Sequence, residues 1–330
     1  MPESPTPAGA TAPAAPVPAP PAGTSVRPVT PDDAGAVQAL LNAIDVLETG
    51  TARTGLHEVE ADLADPGTDL PTGSWLGLHG GRAVCYGLLR DAGGWRLDLD
   101  HYTLPDHQDL GFHVLGLMTA RAAAAAAAAG ADRAVLHLLL AAEPTTDTAR
   151  LAAGGWRRVR RHHVLTRPVS RDTDPVPAPP PGVTLRTCED EDGRRAAHAL
   201  LERTFAAHYG HRPRSYEEWR EAADAHRQDW SLCWTAAVDG LGDAAVLQCR
   251  DDREAAGWVS RLGVVEEVRG RGLGGHLLEL AFAAFAERGR DTVELGVDTE
   301  NTTGALRLYE GRGMVLDHAV DTWEAVVPAG

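Results

Sequence analysis

The chain has 330 residues, 43% of them apolar, which is enough for two domains with separate hydrophobic cores. Its 31 basic residues are all arginine, and the 47 acidic residues bring the net charge to −16. This balance argues against a nucleic acid partner, because proteins that bind nucleic acids usually present a basic face. The four cysteines form no CxxC pair, so we expect reduced thiols in a cytoplasmic protein.

The first segment, residues 1–24, is rich in proline and alanine. It lacks the charged start and the apolar core of a signal peptide, and its composition is typical of a disordered tail. No uninterrupted apolar run reaches the roughly 20 residues that a membrane helix needs. The alanines at residues 122–129 favour a helix, but they are too few to span a bilayer. We therefore expect a soluble protein without a membrane segment.

Two similar halves flank a proline-rich segment, residues 168–181. Prolines at this density cannot continue a helix or a central strand, so this segment is predicted to be a linker. Residues of the two halves align at a constant offset of 159, for example Trp75 with Trp234 and Asp132 with Asp291. Such self-similarity indicates an internal repeat. We predict two domains of one plan, residues 25–167 and residues 182–330.

Each half carries the pattern of an opening strand, one or two helices, two alternating strands, a longer strand, a helix, a further strand and a last helix. In the second half the first helices are predicted at residues 192–208 and 216–226. The strands that follow are predicted at residues 232–238 and 244–250. The fold class expected from this order is α/β with a mixed sheet.

The most informative stretch of the second half is a glycine-rich turn between a predicted strand, residues 258–265, and a predicted helix, residues 276–288. The turn reads Arg269-Gly270-Arg271-Gly272-Leu273-Gly274-Gly275. Glycines let the backbone approach a ligand closely, and the first amides of the helix are free to bind an anion. The two arginines add donors suited to phosphate oxygens. The sequence therefore predicts a pyrophosphate site.

Three interpretations of this turn were compared. A nucleoside triphosphate loop is excluded, since no Gly-Lys-Ser/Thr follows. The dinucleotide pattern Gly270-x-Gly272-x-x-Gly275 is present, but it should open a βαβ domain rather than lie far along the chain. A turn without a ligand leaves four glycines and two arginines in seven residues unexplained. A family resemblance remains as a fourth explanation.

Val264 followed by Arg269-x-x-Gly272-x-Gly274 resembles the acetyl-CoA pyrophosphate loop of the GCN5-related N-acetyltransferases (GNAT). A second stretch, Asn301 to Met314 with Ala305-Leu306-Arg307-Leu308-Tyr309, is similar to another signature of that family. The resemblance covers residues 181–327. It implies two acyl-CoA N-acyltransferase folds in tandem, an arrangement that resembles actinobacterial proteins of the mycothiol synthase type.

The resemblance also implies where acetyl-CoA lies, namely between the strands at residues 258–264 and 292–297. It assigns the pantetheine arm to the backbone of the first of these strands, the pyrophosphate to the turn, and a contact or helix cap to Asn301. Tyr309 matches the general acid that protonates the departing thiolate. The implied cofactor-binding residues are Leu262, Gly263, Val264, Arg269, Gly270, Arg271, Gly272, Leu273, Gly274, Gly275 and Asn301.

The family often has a carboxylate base on the strand before the loop, but residues 258–265 contain none. Candidates for the base and the acceptor site lie elsewhere, and deprotonation through water needs no dedicated base. They are His208, Tyr209, His211, Glu294 and Asp298. The pair His208-x-x-His211 lacks further ligands at metal-binding spacing, so no metal is predicted.

The first half departs from these motifs. At the offset of 159 the loop residues fall on bulky side chains such as Leu110, Phe112 and His113. After a one-residue adjustment that aligns Gly155-Trp156 with Gly313-Met314, Leu151 stands where Tyr309 should be. We therefore expect a degenerate copy that kept the fold and lost the chemistry. Its role is either to shape a wall of the acceptor site or purely structural.

The sequence thus predicts an acetyl-CoA-dependent N-acetyltransferase whose acceptor is a primary amine of a small molecule. The alternative is a catalytically silent acyl-CoA-binding module that acts through a partner. Retention of Tyr309 argues against the alternative, because a binder needs no acid for a thiolate. The oligomeric state and the identity of the amine are not predicted.

Overall fold

The computed structural model describes residues 19–65, 67–91, 95–208, 211–225, 227–253, 256–300 and 304–330. Most of the predicted tail lies outside these ranges. The chain forms two compact units, one of residues 1–159 with 321–330 and the other of residues 160–320.

The first unit contains the elements of the first half. Its strands are β1 (Thr24–Arg27), β2 (Ser74–His79), β3 (Arg82–Asp91), β4 (Arg96–Thr103), β5 (Arg133–Ala141) and the beginning of β6 (Arg157–Pro168). Its helices are α1 (Ala34–Thr49), α2 (Leu56–Leu63), α3 (Leu70–Gly73), α4 (Gln108–Ala128) and α5 (Thr148–Ala153). Strands β1 to β4 pair antiparallel in succession, and β4 pairs parallel with β5.

Helix α4 packs on the sheet of the first unit through the buried side chains of Leu110, Val114, Met118 and Ala122. Among the described residues, the helical segment Pro105–Ala128 is the one stretch long and apolar enough to cross a membrane by length and composition. In the sequence, only the alanines at residues 122–129 stood out in this region. Its buried face against the strands gives it the placement of a core helix.

The second unit repeats the same order of elements. Its strands are the end of β6, then β7 (Val183–Thr187), β8 (Cys233–Val238), β9 (Gly242–Arg250), β10 (Ala256–Val264), β11 (Thr292–Asp298) and the beginning of β12 (Val315–Pro328). Its helices are α6 (Glu191–Phe205), α7 (Tyr216–Ala225), α8 (Leu273–Glu287) and α9 (Ala305–Glu310). The expected mixed α/β sheet and the repeated plan are confirmed.

The strand order in the second unit is β6-β11-β10-β9-β8-β7. The pair β10 and β11 is parallel, and β11 runs antiparallel to β6. Helices α6 and α8 pack on these strands, and α8 buries Leu277, Leu278, Phe282 and Phe285 in the core. All four cysteines of the chain are free and buried.

The unit boundaries differ from the predicted linker. They fall inside β6, between residues 159 and 160, and inside β12, between residues 320 and 321. The reason is that most of β6, the last strand of the first half, pairs with β11 of the second half. The last residues of β12 in turn belong to the first unit, where the amide of Ala329 donates to the carbonyl of Asp132 at 3.0 Å. Hydrophobic periodicity locates a strand but does not name its partner.

Candidate functional site

The second unit contains a cleft formed where two parallel strands separate. Strands β10 and β11 pair from Ala256 with Thr292 to Val259 with Leu295, and no further. Beyond this point β10 stays paired to β9 through an irregularity between Val259 and Arg261. The later residues of β10 therefore turn one backbone edge toward the cleft, where an extended ligand can bind its N–H and C=O groups.

The cleft has a volume of about 910 Å³, and its lining comes from every element around the splayed strands. Strand β10 contributes residues 259–264, β11 contributes residues 295–298, and the turn before α8 contributes Arg269, Gly270 and Gly272. Helix α9 and the residues after it contribute Leu308, Tyr309 and Arg312. The residues implied for the pantetheine arm, the pyrophosphate and the acid thus line one cavity, except Arg271.

The backbone of the turn requires glycine at two positions. Gly270 has φ +77° and Gly272 has φ +83°, both in the left-handed region that side chains disfavour. Gly272 is the residue before α8, so the first amides of this helix open at the cleft with the positive end of the helix dipole. The predicted anion site therefore has its structural basis here.

The other two glycines of the turn line the cleft as well, and they also serve packing. A Cβ on Gly274 would lie 3.2 Å from Leu308 Cδ2, and a Cβ on Gly275 would lie 2.1 Å from Arg312 Nη2. A Cβ on Gly272 would meet nothing within 4 Å. Glycine is thus needed at residue 272 for its dihedral angle, and at residues 274 and 275 for the approach of the chain around α9.

The two arginines of the turn differ in their surroundings. The Nε of Arg269 donates to the carbonyl of Val264 at 3.0 Å, which holds this side chain against the end of β10. Arg271 is exposed and has no hydrogen bond or ion pair to any other residue that the structure describes. Both side chains keep donors for an anion at the turn, and Leu273 is buried beneath them as the first residue of α8.

Helix α6 packs against the end of β10. A Cβ on Gly263 would lie 2.2 Å from Thr204 Oγ1, so the helix approaches the strand as closely as glycine permits. Thr204 is itself oriented by donating to the carbonyl of Leu200 at 2.7 Å. Leu262 and Val264, on either side of Gly263, line the cleft. This packing shapes the cavity wall opposite β11.

Tyr309 lies on α9 with only 8% of its surface exposed, and it lines the cleft. Its hydroxyl has no hydrogen-bond partner among the residues that the structure describes. Burial raises the pKa of Tyr309 to about 12. The phenol is therefore protonated at neutral pH and has a proton free to donate.

Three of the acceptor-site candidates line the same cleft: His208, His211 and Asp298. The His208 ring meets Phe205 edge-on at 4.5 Å, and burial lowers the pKa of His208, although the charge of Asp298 opposes this. His211 Nε2 lies 3.3 Å from Glu202 Oε2. The His208 imidazole, which is influenced by the charge of Asp298, can take a proton from an ammonium group.

Glu294 does not take part in this arrangement, which corrects its candidacy. It lies where β10 and β11 are still paired, it is buried, and it forms an ion pair with Arg253. Two other candidates, Tyr209 and Asn301, lie outside the described residues.

Sequence reasoning missed Arg160 and His162, which line the cleft from β6. His162 stands opposite Asp298 in the strand pairing, and Arg160 forms ion pairs with Asp298 and Glu300. These residues belong to the last strand of the first half, so no motif of the second half pointed to them. Arg312 was also missed, although its position three residues after Tyr309 put it close to the recognised signature.

The corresponding place in the first unit is filled. A Cβ on Gly111 would lie 2.8 Å from Thr103, and the ring of His101 is hydrogen-bonded to the carbonyl of Gly111 at 2.9 Å. Leu151, the counterpart of Tyr309, is fully buried. Strands β4 and β5 also stop pairing after Leu99 and Leu138. Among the described residues no group of three histidine, cysteine or carboxylate side chains is arranged to hold a metal ion.

Comparison with known sequences matches this chain to acetyltransferases. Residues 194–314 match the sequence profile of the Acetyltransferase (GNAT) family. The mycothiol acetyltransferase of Thermobispora bispora is 36% identical over 181 residues, which cover 50% of this chain and 57% of that protein. The mycothiol acetyltransferase of Beutenbergia cavernae is 34% identical over 196 residues, which cover 53% of this chain and 65% of that protein. The chain thus spans less than two thirds of the length of these relatives.

Comparison with solved structures extends over both halves. A GCN5-related N-acetyltransferase from Sphaerobacter thermophilus has a TM-score of 0.80 at 25% identity, with 94% of this chain and 98% of that chain covered. A tandem GNAT protein from the clavulanic acid biosynthesis pathway has a TM-score of 0.65 at 19% identity, with 93% and 99% covered. The second likeness concerns the fold alone. The expectation of two acyl-CoA N-acyltransferase folds in tandem is confirmed.

Proposed function

We propose that the second unit, in which residues 194–314 match the profile of the GNAT family, transfers acetyl from acetyl-CoA to a primary amine of a small molecule. One observation carries the proposal. The splayed strands, the turn with Gly270 and Gly272 in the left-handed region, and the free hydroxyl of Tyr309 share one cleft. Each of these features serves a different part of the acyl donor.

In this proposal the acyl donor lies with its pyrophosphate at the turn before α8 and its thioester at the buried end of the cleft. Its pyrophosphate is held by the amides at the start of α8 and by Arg269 and Arg271. The pantetheine arm follows the free edge of β10 at Leu262 to Val264, where backbone groups pair with its amides. A backbone N–H of this edge donates to the thioester oxygen and stabilises the negative charge that develops there. The sulfur then lies near the buried end of the cleft.

Tyr309 completes the reaction as the general acid. The amine nitrogen forms a bond to the acetyl carbon and releases a proton to solvent, the carbon–sulfur bond breaks, and Tyr309 donates its proton to the departing thiolate. A pKa of about 12 keeps the phenol protonated in the resting site, so the proton is available over the whole neutral range. Solvent restores the proton after the products leave.

The acceptor enters beside His208 and Asp298. Asp298 attracts the ammonium form, and His208, whose pKa burial lowers, takes the proton that must be lost before the amine can attack. Arg160 and His162 of β6 border the same region. The name of the curated relatives associates their acetyl transfer with mycothiol, and we carry over to this chain only the acetyl transfer and a small-molecule acceptor.

The first unit, in this proposal, binds no acetyl-CoA. We also propose a cytoplasmic location, which agrees with four free, buried thiols. The alternative function is a silent acyl-CoA-binding module. Tyr309 favours the enzyme, because it lines the cleft and carries a proton that a departing thiolate can take, which a pure binder does not need.

The test is a screen of small primary amines with acetyl-CoA, in which release of free thiol is recorded. We expect turnover with at least one amine and none when the amine is omitted. Binding of acetyl-CoA without turnover on any amine would favour the silent module. A chain that does not bind acetyl-CoA would exclude both functions.

A further inference from the structure

Arg312 lies over the first turn of α8, at the opening of the cleft. A Cβ on Gly275, the third residue of α8, would come within 2.1 Å of Arg312 Nη2 and within 2.6 Å of its Cζ. The guanidinium therefore occupies the volume that any other side chain at residue 275 would fill. Gly275 is buried beneath it.

A second contact fixes the orientation of this guanidinium. The Nε of Arg312 donates to Glu279 Oε1 at 2.6 Å, from the next turn of α8. Arginine has five N–H donors, and within the described part of the chain only Nε of Arg312 is engaged. The Nη donors remain available on the side of Gly275 and the helix start. Glu279 thus anchors the side chain without occupying the donors nearest the turn.

The Arg312 guanidinium is placed where it can bind an anion. Arg312 lines the cleft together with Gly272 and Gly274, and the side chain is 34% exposed. A cation held at the positive end of a helix dipole is electrostatically unfavourable unless an anion joins the two. Glu279 offsets this only in part, because it engages Nε and leaves the Nη donors without a partner among the described residues. The arrangement is suited to a phosphate between the helix amides and the Nη donors.

We propose that Arg312 is a ligand for a phosphate of the acyl donor, which it reaches because residue 275 is glycine. This inference rests on the proposed function, since that function supplies the acyl-CoA. Both the pyrophosphate and the 3′-phosphate of CoA have the required chemistry. Neither the loop signature nor the acid signature of the sequence contains this residue in a binding role.

The first experiment measures affinity by calorimetry for wild type and Arg312→Gln. One charge-assisted hydrogen bond in a partly exposed site corresponds to a loss of roughly tenfold in Kd for acetyl-CoA. S-acetylpantetheine, which lacks all the phosphates, should bind both proteins equally. A loss that persists with 3′-dephospho-acetyl-CoA assigns Arg312 to the pyrophosphate, and a loss that vanishes assigns it to the 3′-phosphate.

The second experiment uses Gly275→Ala, which displaces the guanidinium but keeps its charge. If Gly275 serves to admit Arg312, the Ala change should weaken acetyl-CoA binding in wild type and have no further effect in Arg312→Gln. Glu279→Gln is the matched control, because it breaks the ion pair and leaves the Nη donors in place. Because the Nη donors remain, it should lower the affinity less than Arg312→Gln does.

Two results would overturn the inference. One is equal affinity of wild type and Arg312→Gln for acetyl-CoA, and the other is an equal loss in Arg312→Gln and Glu279→Gln, which would make the ion pair purely structural. A wild type that fails to bind acetyl-CoA would instead reject the proposed function.

Discussion

Thr204 of α6 lies against Gly263 of β10 so closely that a Cβ on the glycine would come 2.2 Å from the threonine hydroxyl oxygen. The contact joins the helix that borders the acceptor side to the strand edge proposed for the pantetheine arm. The distance between helix and strand, and with it the width of the cleft, depends on this glycine.

Gly263→Ala should therefore destabilise the second unit by about 1 to 3 kcal/mol, the usual cost of overpacking, and lower the melting temperature. Gly296→Ala is the control for stability, because a Cβ there would meet Trp258 only at 3.8 Å. Thr204→Ala removes the nearest atom and should restore part of the loss. No recovery in the double variant would contradict the steric explanation.

Tyr309→Phe should reduce kcat by a factor on the order of a hundred to ten thousand, because the variant keeps the ring but loses the proton of the general acid. The loss should appear equally in kcat/KM, as for an interaction made only in the transition state. It should also shrink with thioesters whose leaving thiol is more acidic. Tyr216→Phe is the control, since the Tyr216 hydroxyl donates to Glu191 rather than toward the cleft. A defect that ignores leaving-group acidity would remove Tyr309 from the mechanism.

The dependence of kcat/KM on pH should identify the base. Burial lowers the pKa of His208 from 6.5, so activity should fall only as the pH drops below this value and the imidazole becomes protonated. The charge of Asp298 raises this pKa, while those of His211, Arg261 and Arg269 lower it. Asp298→Asn should thus move the acid limb to lower pH, and His208→Gln should abolish the limb.

Glu294→Gln is the matched carboxylate control for this profile. Glu294 is on the same strand but is paired with Arg253 outside the cleft, so its neutralisation should leave the acid limb where it is in wild type. An acid limb that is unchanged in His208→Gln would assign the deprotonation to another group or to water.

The two copies of the fold should differ in cofactor binding. Calorimetry should give one acetyl-CoA per chain, and Gly272→Val should abolish it, because a branched residue cannot hold φ +83° without strain. His113→Ala, at the equivalent position of the first copy, should leave the stoichiometry unchanged. Two sites per chain would contradict the loss of the first site. Gly111 is unsuitable as a control, since it packs against Thr103.

Much of this architecture could be predicted, because it depends on residues that are close together in the sequence. The turn between β10 and α8 was recognisable from Gly270 and Gly272, whose left-handed backbone demands that residue type. The roles of Gly274 and Gly275 were not, since they depend on Leu308 and Arg312 arriving from another element. A glycine required for close approach has the same appearance in a sequence as one required for its dihedral angle.

Contacts between distant segments were even harder to predict for the acceptor site. His208 and Asp298 were found because their residue types suggested proton transfer, and both line the cleft. Glu294 has an equally suitable side chain, but the strand pairing puts it beside Arg253. Arg160 and His162 could not be found from the second half at all, because the strand that carries them precedes the linker. Which strand pairs with which is a long-range property that periodicity does not encode.

The division of the chain inside β6 and β12 has a consequence for synthesis on the ribosome. The first unit includes residues 321–330, and the whole of the second unit, residues 160–320, is made before them. Domains usually fold as they emerge, with the N-terminal one first. Here residues 1–159 cannot complete their sheet until residues 321–330 have been synthesised. During translation the nascent first unit therefore has an unfinished strand edge, a feature that invites pairing with other chains and that a chaperone can cover.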